Sequence, residues 1–353
     1  MKIFFNVVYR AFEKVREVSK TSVDRFYSIG GYKICLRFAN PTLIPYITPA
    51  LDHMLCEAVP SPALTICICD SVSTRTALPF LGPLNEYLND EEVERRTGQK
   101  TIYMNLDRRV TNPSKINMLN TRSNIAIHWV RDASIFHYEE IALPLKMIFH
   151  WWMHGHGCQI VHGAAVGLPE GGVLLAGKAG AGKSTSTLAC LSSDLLHVGD
   201  DWIVLQREPT PLAHTLYNSV MLNPAHLMKM FPQLLPMVSN ARQLDTEKAI
   251  VFLKDHYKHK LISNFPIKAA LLVNITDLEQ TTIKKASCVD ILNGLIPHTF
   301  YWDSRYGTGQ GNLENLHQIV KQLPVFTLEA GRNLSGHPRE ILDLLSKLRI
   351  MVA

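Results

Sequence analysis

A glycine-rich segment, GKAGAGKST at 177–185, constrains the fold of this chain more than any other feature of its sequence. A run of this form needs a strand before it and a helix after it. The apolar run GVLLA at 172–176 has the length of a buried strand. The following STSTLACL, at 184–191, suits a helix because it contains neither Gly nor Pro. Motif and context together predict a strand, a phosphate-binding loop and a helix.

Each part of this segment has a chemical reason. The glycines let backbone N–H groups curl around an anion, and the start of a helix favours the same anion. Lys183 adds a positive charge at the phosphate chain, and the Ser184 hydroxyl can ligate Mg²⁺. We therefore expect a nucleoside triphosphate, ATP or GTP, bound with Mg²⁺. The expected contacts are Gly177, Lys178, Ala179, Gly180, Ala181, Gly182, Lys183, Ser184 and Thr185.

Two consecutive aspartates, Asp200 and Asp201, follow Lys183 by 17 and 18 residues and precede the apolar run WIVL. Adjacent carboxylates before a buried strand are costly unless cations or hydrogen-bond donors accompany them. Phosphoryl transfer to an alcohol also needs a carboxylate near the attacking hydroxyl. The pair can divide this work, with one carboxylate serving the metal and the other the acceptor proton. A plain polar turn between helix and strand is the alternative.

A histidine, His162, lies 21 residues before Lys183. Taken alone it favours a structural role, because a lone histidine is more often a hydrogen-bonding core residue than a catalyst. The neighbouring His154, His156 and Cys158 suggest a zinc site only superficially, since the two histidines lie near a helix end with no regular strand to aim them.

Composition narrows the function classes. The chain has 353 residues, 46% hydrophobic and 19% charged, which leaves room for two domains. A net charge of +5 with no basic tract argues against nucleic-acid binding. Seven cysteines without a CxxC pair fit reduced thiols and predict a cytoplasmic protein. No apolar run approaches 18 residues, so no membrane span is expected.

The N-terminal part, residues 1–140, is predicted to be a β-rich α+β domain. Its first segment has Phe4, Val8, Phe12 and Val15 at helical spacing. Period-two alternation then predicts half-buried strands near 32–38, 64–68, 102–106 and 125–129. A helix entered through two acidic residues, Glu139 and Glu140, with Leu145 to Trp152 on its apolar face, is predicted to bridge to the second domain.

The second domain, residues 141–353, is predicted to contain the glycine-rich loop. Its expected strands lie at 159–161, 172–176, 202–205, 269–275 and 324–328. The unbroken apolar run AALLVNI at 269–275 is typical of a strand covered on both faces. A final helix is predicted to begin at Pro338.

The string from Ile160 to Leu205 resembles the catalytic core of the HPr kinase/phosphorylase family, and is closer still to the HPr-kinase-like serine kinases of peptide-modification clusters. It has that family's order of His-Gly, hairpin, GxxGxGK[ST] loop, short helix and Asp-Asp. The N-terminal region is similar to the kinase-like branch. The resemblance implies a mixed α/β fold shared with phosphoenolpyruvate carboxykinases, not a doubly wound parallel sheet.

The resemblance also implies roles for residues of this sequence. Asp200 becomes the base toward a serine-type hydroxyl, Asp201 its neighbour at the metal, and His162 a residue that orients the carboxylate or contacts phosphate. Glu247 and Lys248 lie where such kinases place a charged active-site loop.

Two features bear on the substrate of such a kinase. The segment RYGTGQG at 305–311 is expected to be either a substrate loop that carries Arg305 or an ordinary surface loop. The second signature loop of the HPr-directed enzymes is missing, so neither phosphorylase activity nor HPr as partner is expected.

Three functions fit this sequence. The first is a kinase that transfers the γ-phosphate to a serine of a small protein or peptide. The second is a kinase for a small molecule such as free serine or a sugar. The third is a nucleotide-binding regulatory module without transfer. The β-rich domain could bind a peptide at a sheet edge. The oligomeric state is left open.

Overall fold

The computed structural model describes residues 2–79, 102–106, 114–306 and 309–350. These residues fall into two compact units, 1–155 and 156–353. The first unit therefore extends past the expected limit at residue 140 and includes the helix that follows it. None of the helices in these ranges combines the length and apolar character needed to cross a bilayer.

The first unit contains five α-helices and seven strands among its described residues. In chain order they are α1 (Lys2–Ser19), β1 (Val23–Ile29), β2 (Tyr32–Phe38), α2 (Ile44–Ile47), β3 (Leu55–Cys56), β4 (Leu64–Asp70), α3 (Ser71–Thr74), β5 (Ile102–Leu106), β6 (Lys115–Asn120), β7 (Ile125–Val130), α4 (Tyr138–Ala142) and α5 (Lys146–His154). The strands form one mixed sheet in the order β3-β1-β2-β4-β7-β6-β5.

Both faces of this sheet are covered at its centre. The apolar side of α1, predicted from its helical spacing, packs against a cluster that contains Cys67, Ile127 and Trp129. On β5, Ile102 joins that cluster, while its neighbour Tyr103 stacks on Trp151 of α5 with ring centroids 5.3 Å apart. The strands β4 and β7 are almost fully buried, so the expectation of half-buried strands was wrong for them.

The helix predicted to bridge the domains is two helices. The acidic residues Glu139 and Glu140 lie in α4, and the aromatic residues lie in α5. The break comes at Pro144 and Leu145, because proline cannot continue a helix and Leu145 has φ 57°. Helix α5 belongs to the first unit, where Trp152 Nε1 donates to Asn124 Oδ1 at 3.1 Å.

The second unit contains six α-helices and eleven strands among its described residues. They are β8 (Cys158–Val161), β9 (Ala164–Leu168), β10 (Gly171–Ala176), α6 (Lys183–Ala189), β11 (Leu196–Gly199), β12 (Ile203–Gln206), β13 (Leu212–His214), β14 (Ser219–Leu222), α7 (Pro224–Met230), β15 (Ala249–Phe252), α8 (Lys254–Tyr257), β16 (Asn264–Ile275), β17 (Thr282–Lys285), α9 (Cys288–Tyr306), α10 (Gly309–Lys321), β18 (Val325–Ala330) and α11 (Gly336–Ile350).

Nine of these strands form a mixed sheet. β10 pairs with β9 in antiparallel and with β16 in parallel orientation, and β18 extends the parallel part beside β16. Both pairing directions occur, so the sheet is mixed and not doubly wound parallel, as expected. The long strand β16 is central because it pairs with β10, β13 and β18.

Helices cover both faces of this sheet. Alternate residues of β10 point to opposite sides, as strand geometry requires. Leu174 packs toward the cluster that holds Ile291 and Leu295 of α9, and Leu175 toward the cluster that holds Ile341 of α11. A third cluster packs α6 against the antiparallel pair of β14 and β15. The glycine-rich segment is therefore anchored by buried elements at both of its ends.

Candidate functional site

The glycine-rich loop leaves the buried end of β10 and enters α6 at Lys183. Its tight path depends on residues that adopt positive φ: Gly180 has φ 79° and Gly182 has φ 98°. A Cβ at Gly182 would also come within 2.9 Å of the Ile275 side chain. Glycine is therefore required at this position by both conformation and space. The strand, loop and helix predicted from the sequence are present with nearly the predicted bounds.

The side chain of Lys183 folds back over its own loop. It is only 6% exposed, and its Nζ donates to the carbonyl oxygens of Gly177 at 2.7 Å and Lys178 at 3.3 Å. Burial lowers the pKa of Lys183, while the carboxylates of Asp200 and Asp201 act in the opposite direction. The loop lysine and the two aspartates therefore lie in one electrostatic neighbourhood, although they are separated in sequence.

The two hydroxyl residues that follow Lys183 have different surroundings. Ser184 lies beside the carboxyl of Asp200 and lowers its pKa. Thr185 Oγ1 lies 3.0 Å from His226 Nε2, on helix α7, whose start is capped by the Asn223 side chain. Ser184 therefore contacts Asp200, and Thr185 is bonded to α7.

Asp200 has the most unusual environment of the site. Its carboxyl follows directly after strand β11 and is only 1% exposed. By ordinary hydrogen-bond geometry neither of its oxygens has a partner among the described residues, although the Ser184 hydroxyl and the Asp201 backbone N–H lie close enough to act on it. Burial and then the charge of Asp201 raise the pKa of Asp200 to about 6, although Ser184 and Lys183 act to lower it. A buried carboxyl with unpartnered oxygens is costly, which is typical of a group retained for binding or chemistry.

Asp201 differs sharply from its neighbour. Its backbone is left-handed, with φ 65°, a conformation that costs energy for a residue with a Cβ. Its side chain accepts a hydrogen bond from His162, with 2.8 Å between Nε2 and Oδ1. The left-handed backbone at Asp201 gives the two adjacent carboxyls different surroundings, because Asp201 contacts His162 whereas Asp200 is buried beside Ser184. The division of work between metal and acceptor that the sequence predicts for the pair stays a prediction.

His162 is 7% exposed and is held from several sides. Its backbone N–H donates to the Thr299 hydroxyl at 3.0 Å. Its ring lies 5.4 Å from the Trp202 ring and 4.7 Å from the His298 ring, measured between centroids. Because Nε2 faces a carboxylate, it carries the proton in this arrangement. His162 therefore holds the Asp201 carboxylate, and its role in a reaction stays a prediction.

His298 and Thr299 were missed by the sequence analysis. Burial lowers the pKa of His298, and so do the nearby charges of His162 and Lys183, while Asp201 raises it. Both residues lie in the middle of α9, nearly a hundred residues beyond the aspartates. No motif surrounds them, so only the helical pattern of α9 could have indicated that they face inward.

The structure says less about the three remaining candidates, Glu247, Lys248 and Arg305. Glu247 and Lys248 lie just before β15, where the Asn240 side chain donates to Glu247 Oε2 at 3.3 Å and to the Lys248 carbonyl at 2.8 Å. The expected loop at 305–311 is mostly helical, because 305–306 end α9 and 309–311 begin α10. The side chain of Arg305 lies outside the described residues.

The residues fit a hydrated divalent cation bound with phosphates. Mg²⁺ takes oxygen ligands and is usually held by one or two carboxylates plus substrate phosphates. Ser184 and Asp201 offer a hydroxyl and a carboxylate, and the buried Asp200 carboxyl lies next to both of them. Across the described ranges, no group of three or more His, Cys, Asp or Glu is placed to hold a metal by itself. The superficial zinc spacing at 154–162 thus forms no such site.

Comparison with solved structures finds 97 matching chains. No family model and no curated protein matches this chain. Among solved structures, the HPr(Ser) kinase/phosphatase from Coxiella burnetii matches with a TM-score of 0.31 at 13% identity. The match covers 55% of this chain and 98% of that structure. Likeness at this level describes a distant similarity and decides nothing about the site.

Proposed function

We propose that this protein is a kinase that transfers the γ-phosphate of ATP or GTP to a hydroxyl, with a serine of a small protein or peptide as the preferred acceptor class. The observation that carries the proposal is Asp200, a carboxyl that is 1% exposed and lies beside Ser184 and Lys183, and whose pKa in the metal-free protein is raised to about 6 by burial and by the charge of Asp201. A general base is most effective when its pKa lies near the working pH.

Each residue then has a defined part. The backbone N–H groups of the glycine-rich loop and the ammonium of Lys183 bind the phosphate chain. Ser184 and Asp201 would hold Mg²⁺, which when bound neutralises charge on the phosphates. His162 fixes Asp201 through its hydrogen bond. Asp200 lies beside this pair and is left for the acceptor.

In the transfer itself, the acceptor oxygen attacks the γ-phosphorus while Asp200 takes the hydroxyl proton. The bond between the γ-phosphorus and the bridging oxygen breaks, and the nucleoside diphosphate leaves with that electron pair. Phosphoryl transfer of this kind depends on position and electrostatics more than on covalent help from the protein. A buried and rigid set of groups suits this requirement.

A purely regulatory nucleotide-binding module would leave the buried Asp200 carboxyl unexplained. Such a module needs the loop and a metal ligand, but it has no need of a second carboxyl kept buried beside that ligand. A small-molecule alcohol would use the same groups as a peptide serine, so the two acceptor classes must be separated by experiment.

The test is transfer of label from γ-³²P ATP, with Mg²⁺, to a panel of serine-containing peptides, free serine and simple sugars. The matched variants are Asp200→Asn at the site and Asp194→Asn, an exposed carboxylate before β11. We expect Asp200→Asn to abolish transfer with Mg·ATP affinity within a few-fold, and Asp194→Asn to behave as wild type. Undiminished transfer by Asp200→Asn would remove the base assignment. ATP binding without transfer to any acceptor or to water would favour the regulatory module.

A further inference from the structure

We infer that helix α9 is a clamp that fixes the distance between the two halves of the proposed site, the glycine-rich loop and the His162–Asp201 pair. The expected effect of the clamp on phosphate transfer rests on the proposed function. The contacts that define the clamp do not depend on that function. Two contacts one helical turn apart, at Gly294 and at His298–Thr299, carry it.

The first contact is a close approach of α9 to the start of the glycine-rich loop. A Cβ built on Gly294 would lie 2.9 Å from the Gly177 backbone nitrogen and 3.2 Å from its Cα. It would also lie 2.8 Å from Leu272 Cδ1. Glycine inside a helix is unfavourable compared with alanine, so its presence here has a packing reason. The helix backbone lies directly against the loop.

The second contact joins α9 to His162. The buried Thr299 hydroxyl accepts the His162 backbone N–H at 3.0 Å, across 137 residues of sequence. The His298 ring lies against the His162 ring, with centroids 4.7 Å apart. His162 in turn donates to Asp201 at 2.8 Å. His298 and Thr299 therefore act on the carboxylate through His162, as positioning residues.

The two contacts lie on one face of α9, which contains Pro297 between them. Residues 294 and 298 are four apart, so they share a side of the helix about 6 Å from each other along its axis. Between them, Leu295 is fully buried, and a Cβ on Gly163 would lie 3.3 Å from its Cδ2. The helix thus touches the loop, the residue after His162 and His162 itself. A displacement of α9 changes both halves of the site at once.

The first experiment compares Gly294→Ala with Asn293→Ala, a neighbouring exposed position on the same helix. The added methyl must push the loop backbone by a few tenths of an ångström. We expect Gly294→Ala to weaken Mg·ATP binding about fivefold or more, since small misplacements in such sites have large effects. Asn293→Ala should bind as wild type. Calorimetric titration with Mg·ATP measures both.

The second experiment compares Thr299→Val with Thr299→Ser in ¹⁵N-histidine-labelled protein without nucleotide. Valine keeps the shape and removes the acceptor, while serine keeps the hydroxyl. The Nε2–H signal of His162, identified by its loss in His162→Gln, should shift or exchange faster in Thr299→Val and return in Thr299→Ser. The rate of γ-phosphate release should fall about tenfold in Thr299→Val with the KM for ATP nearly unchanged.

The outcomes separate the two ideas. The clamp is overturned if Gly294→Ala binds Mg·ATP as Asn293→Ala does, or if the His162 signal is the same in Thr299→Val and Thr299→Ser. If wild type binds nucleotide without transferring phosphate, the kinase proposal fails. The clamp is then still tested by Mg·ATP binding to Gly294→Ala and Asn293→Ala and by the His162 signal, because neither measurement requires phosphate transfer.

Discussion

His162 Nε2 lies 2.8 Å from Asp201 Oδ1, and this bond joins the strand before the hairpin to the second of two adjacent aspartates. The contact holds the Asp201 carboxylate, while the adjacent Asp200 carboxyl is buried beside Ser184. In an ordinary polar turn, both carboxyls would face solvent.

His162→Ala tests the orienting role. The substitution releases Asp201 while leaving the glycine-rich loop in place. We expect kcat to fall roughly 10- to 100-fold with the KM for ATP within a few-fold, since the lost contact positions a group near the reacting atoms. Steady-state kinetics with Mg·ATP measure both constants. His256→Ala, at an exposed histidine, is the control. Equal losses in binding and turnover would instead indicate a role at the phosphates.

Lys183→Ala tests the phosphate side. Removing a buried ammonium takes away a charge-assisted contact, so we expect the affinity for Mg·ATP to fall roughly 10- to 100-fold and transfer to fall with it. Titration calorimetry gives the affinity. The exposed Lys321→Ala serves as the matched control for loss of one positive charge. Wild-type affinity in Lys183→Ala would contradict the binding role of the loop.

Asp200→Asn should change stability in a pH-dependent way. The pKa of Asp200 is raised from 3.8 to about 6 in the folded protein. A raised carboxyl pKa means that ionisation destabilises the fold above pH 6, and that this penalty shrinks as the pH falls from 6 to 3.8. At about 1.36 kcal/mol per pH unit, the penalty above pH 6 is at most about 3 kcal/mol.

We therefore expect nucleotide-free Asp200→Asn to be more stable than wild type at pH 8, with the difference largely gone at pH 4. Urea unfolding at the two pH values measures the free energies. Asp194→Asn should show no such difference. A constant difference at both pH values would mean that Asp200 is not the group that titrates.

His337→Ala tests how α6 is held. The His337 ring lies between the Ser186 hydroxyl, at 3.1 Å, and the Gly331 carbonyl, at 2.9 Å. Its loss leaves two buried polar groups without a partner, so the free energy of unfolding should fall by about 1–3 kcal/mol or more. Urea unfolding measures this, with His256→Ala as control. An unchanged stability would show that the buried contact is replaced by water.

The helices and strands were predictable from sequence where residues close together in the chain determine the local structure. The strand before the loop, the loop and helix α6 follow from apolar runs and glycines close together in the sequence. The apolar face of α1 follows from its helical spacing. The division of the helix near Leu145 and the full burial of β4 and β7 were not predictable in this way, because they depend on neighbours that come from distant parts of the chain.

The sequence by itself determined which groups are the candidates for the proposed chemistry: the glycines, Lys183, Ser184 and the two aspartates, since a phosphate-binding loop has a local pattern of residue types. Only the tertiary structure decided their environments. It buried Asp200, turned Asp201 toward His162 and brought His298 and Thr299 of α9 beside that histidine. The physical reason is that burial and pKa depend on groups close in space, and these groups are separated by up to 137 residues along the chain.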